Sequence, residues 1–345
     1  MKALITGGSG FIGGHLSERL VAAGHGVIAV DNLSTGRSEN IARLIGEPGF
    51  EFVEGSILDA PLMDRLTSRV DTVFHLAAAV GVQHIMDRSL EALRTNLHGT
   101  EIVLEAAGRH GARTLVASTS EVYGKSPAAV LHEDDDRLVG SPLVKRWSYA
   151  EAKALDETLA HLLWREHAVQ TVIVRLFNVA GPRQTGRYGM VLPRFVDQAL
   201  RNEPLTVYGD GRQTRSFCHV SDVVDGLIAV VNEPAAYGSV FNLGQPEEVS
   251  IRDLAERVIA MTGSTSEIRY IPYLEAYGDG YEDTMRRVPD ISRAREVVGF
   301  DPKLDLDDII ASVIEDRIAE SNGHRGDRLR QPAFSATSQE VRRAG

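Results

Sequence analysis

Residues 2–13 constrain this chain most. Lys2-Ala-Leu-Ile-Thr6 is a short apolar run that breaks into Gly7-Gly-Ser-Gly10-Phe11-Ile12-Gly13, after which apolar residues recur at helical spacing. The pattern predicts a strand, a tight turn and a helix start. A glycine at 7 permits the turn, one at 10 lets a pyrophosphate approach the backbone, and one at 13 lets the helix pack closely on the strand. The helix N-terminus would offer N–H groups and the positive end of its dipole to the phosphates. With 32 glycines in the chain, spacing alone is a weak signal, so the flanking strand and helix patterns carry the reading.

The residues after this loop extend the same unit. Ile12, Leu16, Leu20 and Val21 share a helical face that ends at Gly24, and residues 27–30 are a second buried strand ending in Asp31. A carboxylate there can accept from ribose hydroxyls and repel a 2′-phosphate, which favours NAD over NADP, with Arg37 near enough in sequence to keep that choice open. Strands are predicted at 50–54, 72–79 and 112–118, and helices at 60–67 and 89–109. The 72–79 strand runs into Leu76-Ala77-Ala78-Ala79, small side chains that would let its backbone lie against a cofactor. Such alternation predicts an α/β fold with a doubly wound parallel sheet.

Beyond residue 180 the texture changes, as Gly181-Pro182, Gly209-Asp-Gly211 and Glu233-Pro234 cut the pattern into shorter pieces. We read 1–180 as a nucleotide-binding domain and 181–318 as mainly a second, smaller domain. Segments at about 215–245 are expected to return to the first, since 239–243 reads as a strand and 251–262 as a helix. Residues 321–345, rich in Arg, Ser and Gln without periodicity, predict a disordered tail. A formal charge of −11 argues against a nucleic-acid or acidic-membrane partner and for a small molecule. Cys218 is the only cysteine, so no intrachain disulfide or cysteine metal cluster forms. Without a leader pattern or a long apolar run, the expected location is cytoplasmic.

Two stretches offer chemistry. Tyr149 and Lys153 lie four apart in a segment of helical spacing, so they share a face, and a cation beside a tyrosine favours its phenolate. Such a pair can take a proton from a sugar hydroxyl while a hydride leaves the same carbon. On spacing alone it fits equally a surface tyrosine packed on a lysine stem. Ser118-Thr119-Ser120-Glu121-Val-Tyr-Gly124 follows the strand at 112–118, at the sheet edge where open α/β proteins bind ligands. Its hydroxyls could bond a substrate oxygen, and Glu121 could act as acid or base at a carbon next to a ketone.

Taken together, Thr6 to Gly13, Asp31-Asn32, His75-Leu-Ala-Ala78, Ser118 to Gly124 and Tyr149-x-x-x-Lys153 resemble the extended short-chain dehydrogenase/reductases that act on nucleotide sugars. The resemblance runs from about residue 1 to 318. It implies a Rossmann domain with a small C-terminal α/β substrate domain, a tightly held NAD recycled within each turnover, and a homodimer formed through helices containing 89–109 and 147–166. It also implies that Gly7, Gly10, Phe11, Ile12, Gly13, Asp31, Asn32, Leu76, Ala77, Ala78, Asn96, Ser118, Tyr149 and Lys153 meet the cofactor. Thr119 and Ser120 would assist Tyr149. Arg175-Leu-Phe-Asn178, Gly181-Pro-Arg183 and Leu205 to Phe217 look like the family's sugar-nucleotide stretches, with Asn178 and Arg215 facing the diphosphate and Val191 and Tyr208 in the substrate site.

Ser118 to Gly124 is similar to UDP-glucuronate decarboxylases and to sugar dehydratases, whereas 4-epimerases usually lack the glutamate. Arg146-Trp-Ser-Tyr149 and the stretch 277–290 resemble decarboxylases in which an arginine two before the proline, here Arg287, handles the sugar carboxylate. A planar guanidinium suits that task. Ser56 stands where many relatives carry an aspartate, and residues 80–85 do not match the usual decarboxylase loop. Decarboxylation of UDP-glucuronate through a 4-keto intermediate is therefore the leading expectation, followed by 4-epimerisation of a UDP-sugar and then 4,6-dehydration. A non-enzymatic NAD-sensing regulator is the least favoured, since it need not retain Thr119, Tyr149 and Lys153 together.

Overall fold

The computed structural model describes residues 1–80, 88–186, 189–278 and 282–330, with 323–330 as backbone only. The first half follows its hydrophobic periods through β1 (Lys2–Thr6), α1 (Phe11–Ala22), β2 (Gly26–Asp31), β3 (Phe50–Glu54), α2 (Ala60–Thr67), β4 (Thr72–His75), α3 (Ser89–His110), β5 (Arg113–Thr119), α4 (Ser148–His167) and β6 (Thr171–Leu176). Next come β7 (Val179–Ala180), α5 (Val191–Leu200), β8 (Leu205–Tyr208), β9 (Thr214–Ser216), β10 (Cys218–His219) and α6 (Val220–Asn232). The chain continues through β11 (Val240–Leu243), β12 (Glu248–Ser250), α7 (Ile251–Thr262), β13 (Ile268–Ile271), α8 (Tyr273–Tyr277), α9 (Ser292–Val298) and α10 (Leu306–Arg330).

Among the described residues one sheet of seven strands, all parallel, runs in the order β3-β2-β1-β4-β5-β6-β11. The winding direction reverses between β1 and β4, which opens a crevice at the carboxyl ends of those strands. The central strands are near-continuous apolar runs because both of their faces are covered. Ala3, Ile5, Val172 and Val174 pack with Leu16 and Leu20 of α1 and Val223 and Leu227 of α6. Leu4, Ile28 and Val73 turn the other way, onto α2 and α3 through Leu62, Leu66 and Val103. Each such side chain, fully buried, contributes about 1.5–3 kcal/mol.

A separate core joins α5, α7 and α10 through Phe195, Leu254, Val258, Ile309 and Val313 to the β8–β13 pair. The strand expected at 239–243 joins the main sheet as β11. The helix at 251–262 does not, because its apolar stripe faces α5 and α10 rather than the sheet. Two other expectations change. β4 stops at His75 instead of running to Ala79, because side chains replace the ladder there: Ala77 N–H donates to Thr6 Oγ1 (3.2 Å) and Ala79 N–H to Asn96 Oδ1 (2.7 Å). Residues 321–330, expected in the tail, extend α10, and 331–345 lie outside the described residues. No described helix is long and apolar enough to cross a membrane.

The turn after β1 depends on close backbone packing. A Cβ at Gly13 would lie 2.2 Å from the Gly7 carbonyl oxygen and 2.9 Å from Gly8 Cα. Gly13→Ala is therefore expected to cost about 1–3 kcal/mol through overpacking. Differential scanning calorimetry should show a lower melting temperature, and an unchanged one would refute the packing argument.

Candidate active site

At the end of β1, Gly7 has φ 71°, and a Cβ there would meet the Ala77 amide nitrogen at 2.9 Å. At Gly10 it would sit 3.0 Å from the Gly7 carbonyl oxygen. The loop is a cradle that any side chain would fill. α1 starts behind it with Gly10 as its N-cap and no side chain bonded to its first N–H groups. A pyrophosphate fits such a helix end. Asp31 closes β2, its Oδ2 accepting from Ser9 N–H (3.0 Å) and its Oδ1 from Leu33 N–H (2.8 Å). Burial raises its pKa against the lowering effect of those two bonds. Arg37 is turned to other carboxylates, 3.7 Å from Glu39 and 3.9 Å from Glu320.

One continuous cavity of about 610 Å³ runs from this cradle, past the ends of β4 and β5, into the second core. Its wall includes every residue assigned above to catalysis, to the cofactor or, individually, to the substrate, except Asn96. Asn96 is buried behind the wall and holds the backbone of Ala79 by both its amide groups. Ser118 reaches the wall, and its hydroxyl donates to Glu157 (2.5 Å). Asn178, held at φ 29°, lines the cavity and donates from Nδ2 to the Ser216 carbonyl (2.8 Å). Arg183, in the expected sugar-nucleotide stretch, is occupied elsewhere: its guanidinium binds Glu18 at 2.7 and 2.8 Å and the Asn40 carbonyl at 2.8 Å.

Tyr149 and Lys153 both face the cavity from the first turns of α4, and Tyr149 is hydrogen-bonded to Thr119. The expected lowering of the phenol pKa by Lys153 is not found. Burial, then the charges of Glu121 and Asp156, push Tyr149 upward. The physical reason is that Lys153 Nζ is bonded to buried Asp156 (3.1 Å), which offsets the field of the ammonium.

Glu121 follows β5 in a single helical turn, Ser120–Tyr123, capped by the Thr119 side chain. Its two oxygens meet two arginines, Arg287 Nη1 at 2.5 Å and Arg146 Nη2 at 2.5 Å. Burial opposes ionisation, but the two guanidinium groups outweigh it and hold the Glu121 pKa down at about 2. Ser120 accepts from Arg287 at 3.5 Å. Arg287 arrives from far along the chain because the segment from 282 onward returns to the first domain. There Leu131 N–H bonds the Val288 carbonyl (2.9 Å) and Trp147 Nε1 bonds Glu282 (2.9 Å). Residues 279–281 of the 277–290 stretch, and 81–85 of the stretch at 80–85, lie outside the described residues.

At the far end Arg215 is buried and pinned by Asp283 (2.9 Å) and the carbonyls of Thr214 and Thr284 (2.8 Å each). Val191 opens α5 on the cavity wall, and Tyr208 lies 4.2 Å beneath the Arg194 guanidinium. The sequence reading missed Arg194, Asp283 and Asp156, and quoted Arg146 without giving it a role. Arg194 carried no signal beyond a charge in an apolar helix, whereas Arg146 stands three residues before Tyr149, a spacing that places both on one helical face.

A doubly wound sheet, a glycine cradle ended by an acidic strand tip, and a tyrosine–lysine pair in one cavity define a dinucleotide-dependent enzyme. The model of the NAD dependent epimerase/dehydratase family matches residues 3–244, and the chain belongs to that family. NAD is thus its cofactor, and the residues of the cradle fit it. Among relatives, a UDP-N-acetyl-alpha-D-glucosaminuronate decarboxylase of Bacillus cytotoxicus is 42% identical over 315 residues, covering 91% of this chain and 97% of that protein. UDP-glucuronic acid decarboxylase 1 of Xenopus tropicalis is 38% identical, covering 89% and 70% respectively. Among solved structures, UDP-glucuronic acid 4-epimerase of Bacillus cereus, in complex with UDP-glucuronic acid and NAD, aligns with a TM-score of 0.83 at 28% identity. That alignment covers 93% of this chain and all of the epimerase.

Glu121 also sets an acid limit. A carboxyl held at about 2, against an ordinary 4.5, adds stability that is complete above the ordinary value and is lost as pH falls toward 2. Glu121→Gln is expected to flatten that part of the stability–pH curve. It should also lower stability at neutral pH by about 3–5 kcal/mol, because two buried guanidinium groups lose their shared counter-charge. Urea melts at several pH values would read both effects, and a variant curve parallel to that of the wild type would contradict the assignment.

Proposed function

We propose that this enzyme decarboxylates a UDP-linked hexuronate, UDP-glucuronate first, through a 4-keto intermediate. The observation that carries the proposal is the Arg146–Glu121–Arg287 cluster beside Tyr149 and Thr119 in one cavity. An uncharged hexose has no use for a buried guanidinium at that point, while a uronate carboxylate can be held by its planar fork. The curated decarboxylases at 37–42% identity support the reading.

NAD, which Gly7, Gly10, Gly13 and Asp31 would hold, would supply oxidation at the sugar C4 and the later reduction. Tyr149, bonded to Thr119 and with Lys153 on the next turn, takes and returns the C4 hydroxyl proton. Arg287 holds the carboxylate. Once C4 is a ketone, the acid is a β-keto acid, and the carboxylate leaves as carbon dioxide because the ketone accepts the electron pair. The enolate left at C5 then takes up a proton that originates from solvent, and Glu121, ionised and braced by Arg146, orients Arg287 and relays that proton. Arg215, Asn178 and Arg194 serve the diphosphate, and Tyr208 and Val191 flank the nucleoside. A substrate with an acetamido group at C2 is the second reading, because the relative of 42% identity is named for one.

Incubation with UDP-glucuronate, UDP-N-acetylglucosaminuronate and UDP-glucose separately, with products read by mass and proton NMR, tests this. Loss of carbon dioxide from a uronate is expected, and an unchanged mass with inverted C4 would replace decarboxylation by epimerisation. Tyr149→Phe should lower kcat by at least about 100-fold. Full turnover in that variant would overturn the assignment of Tyr149.

We also infer a homodimer. On the outer sides of α3 and α4, Leu90, Leu155 and Leu162 are exposed, and Leu155 and Leu162 are two turns apart on one stripe. Sedimentation of the wild type should give a dimer and Leu155→Glu/Leu162→Glu a monomer; a monomeric wild type would end the inference. A cytoplasmic setting fits the single, buried thiol of Cys218.

A further inference from the structure

Behind Lys153, on the side away from the cavity, lies a buried polar chain that the proposed reaction does not use. Lys153 Nζ donates to Asp156 Oδ2 (3.1 Å), and Asp156 is also bonded to the Thr100 side chain of α3. Thr100 Oγ1 lies 3.0 Å from His75 Nε2, and His75 Nδ1 lies 2.8 Å from Thr6 Oγ1. Thr6 Oγ1 in turn accepts from the Ala77 amide (3.2 Å). Lys153, Asp156, Thr100, His75 and Thr6 are all almost inaccessible to solvent. The chain therefore links the tyrosine–lysine helix to the strand ends that carry the cofactor cradle.

Its proton order follows from one charge. An ionised carboxylate only accepts, so the Thr100 hydroxyl gives its single proton to Asp156. Thr100 Oγ1 must then accept from His75, which fixes the proton on Nε2 and leaves Nδ1 as an acceptor. Thr6 donates to that Nδ1 and keeps a lone pair for Ala77 N–H. The ring stays neutral, since burial, helped by the Lys153 charge, pulls the His75 pKa down to about 3. Every hydrogen bond in the chain points toward Asp156.

We propose that Asp156 is a positioning residue that holds the Lys153 ammonium and, through Thr100, His75 and Thr6, fixes the wall at Ala77 against which Gly7 packs. It rests on the reading of Tyr149 and Lys153 as the proton-transfer pair. The carboxylate also restrains that pair, because its charge opposes ionisation of Tyr149. The other charged groups bearing on Tyr149 are Glu121, after β5, which opposes ionisation, and Arg146, ahead of α4, which favours it. Glu157, the next residue of α4, is neutralised by Arg175 at 2.7 and 2.9 Å.

Two measurements test the proposal. In the wild type without substrate, nitrogen-15 NMR of the assigned His75 ring should show the Nε2–H tautomer, unchanged between about pH 8 and about pH 5. An Nδ1–H ring, or one that titrates there, would overturn the chain whatever the reaction proves to be. In Asp156→Asn, close in shape but uncharged, the acid limb of the kcat–pH profile should move down by about one pH unit. The KM for the nucleotide sugar should stay within about twofold, as expected for a group that touches no substrate. A folded variant whose limb is unmoved, with or without loss of rate, would reduce Asp156 to a packing role. If instead Tyr149→Phe keeps its turnover, the reading of the pair fails, while the His75 result still stands or falls on its own.

Discussion

The site depends on a buried ion pair that never touches the cavity's chemistry. Arg175 of β6 clasps Glu157 of α4 with two nitrogens, at 2.9 and 2.7 Å, and Ser118 of β5 donates to the same carboxylate. Three elements are thereby fixed in one register. α4 cannot slide or rotate without stranding a buried charge, which costs more than most packing changes. Tyr149 and Lys153, on the turns before Glu157, consequently emerge at the end of β5, beside Thr119. The Arg175 guanidinium also lies 4.7 Å over the Tyr123 ring and donates to the Glu133 carbonyl, so the loop that follows Glu121 hangs from the same anchor.

Much of this was legible in the sequence because it is local. The glycine cradle, the acidic end of β2 and the tyrosine–lysine spacing each lie within a few residues, and period and turn chemistry translate them directly into geometry. Asn96 and Ser118 were assigned to the cofactor by resemblance. What they bond, an Ala79 backbone and a Glu157 carboxylate, is a matter of side-chain direction that spacing does not encode. The pairing of Lys153 with Asp156 is local as well, three residues apart, yet the sequence reading placed the ammonium beside the phenol. Burial adds the second partner: a carboxylate with almost no access to water needs a cation too.

The non-local part rests on return segments. β11 re-enters the main sheet beside β6, and the stretch from 282 to 290 runs back along the first domain, so that Arg287 reaches a glutamate 166 residues earlier. No periodicity announces such a return. Resemblance pointed to Arg287, while its partner Arg146 became visible only once both guanidinium groups stood on one carboxylate.

That doubling bears on how the cleft admits an anion. A lone Arg287–Glu121 pair would resist opening, because turning the arginine toward a substrate carboxylate would leave Glu121 buried and unpaired. With Arg146 on its other oxygen, Glu121 keeps a counter-charge when Arg287 turns away. The cost of exchanging one carboxylate partner for another then falls to a rearrangement among groups already out of water. Arg215 is tied by Asp283 and two carbonyls and does not share this freedom. On the proposed reaction the two ends of the cleft would divide the labour: a fixed cation, Arg215, for the diphosphate, and an exchangeable one, Arg287, for a carboxylate that must be held and then released.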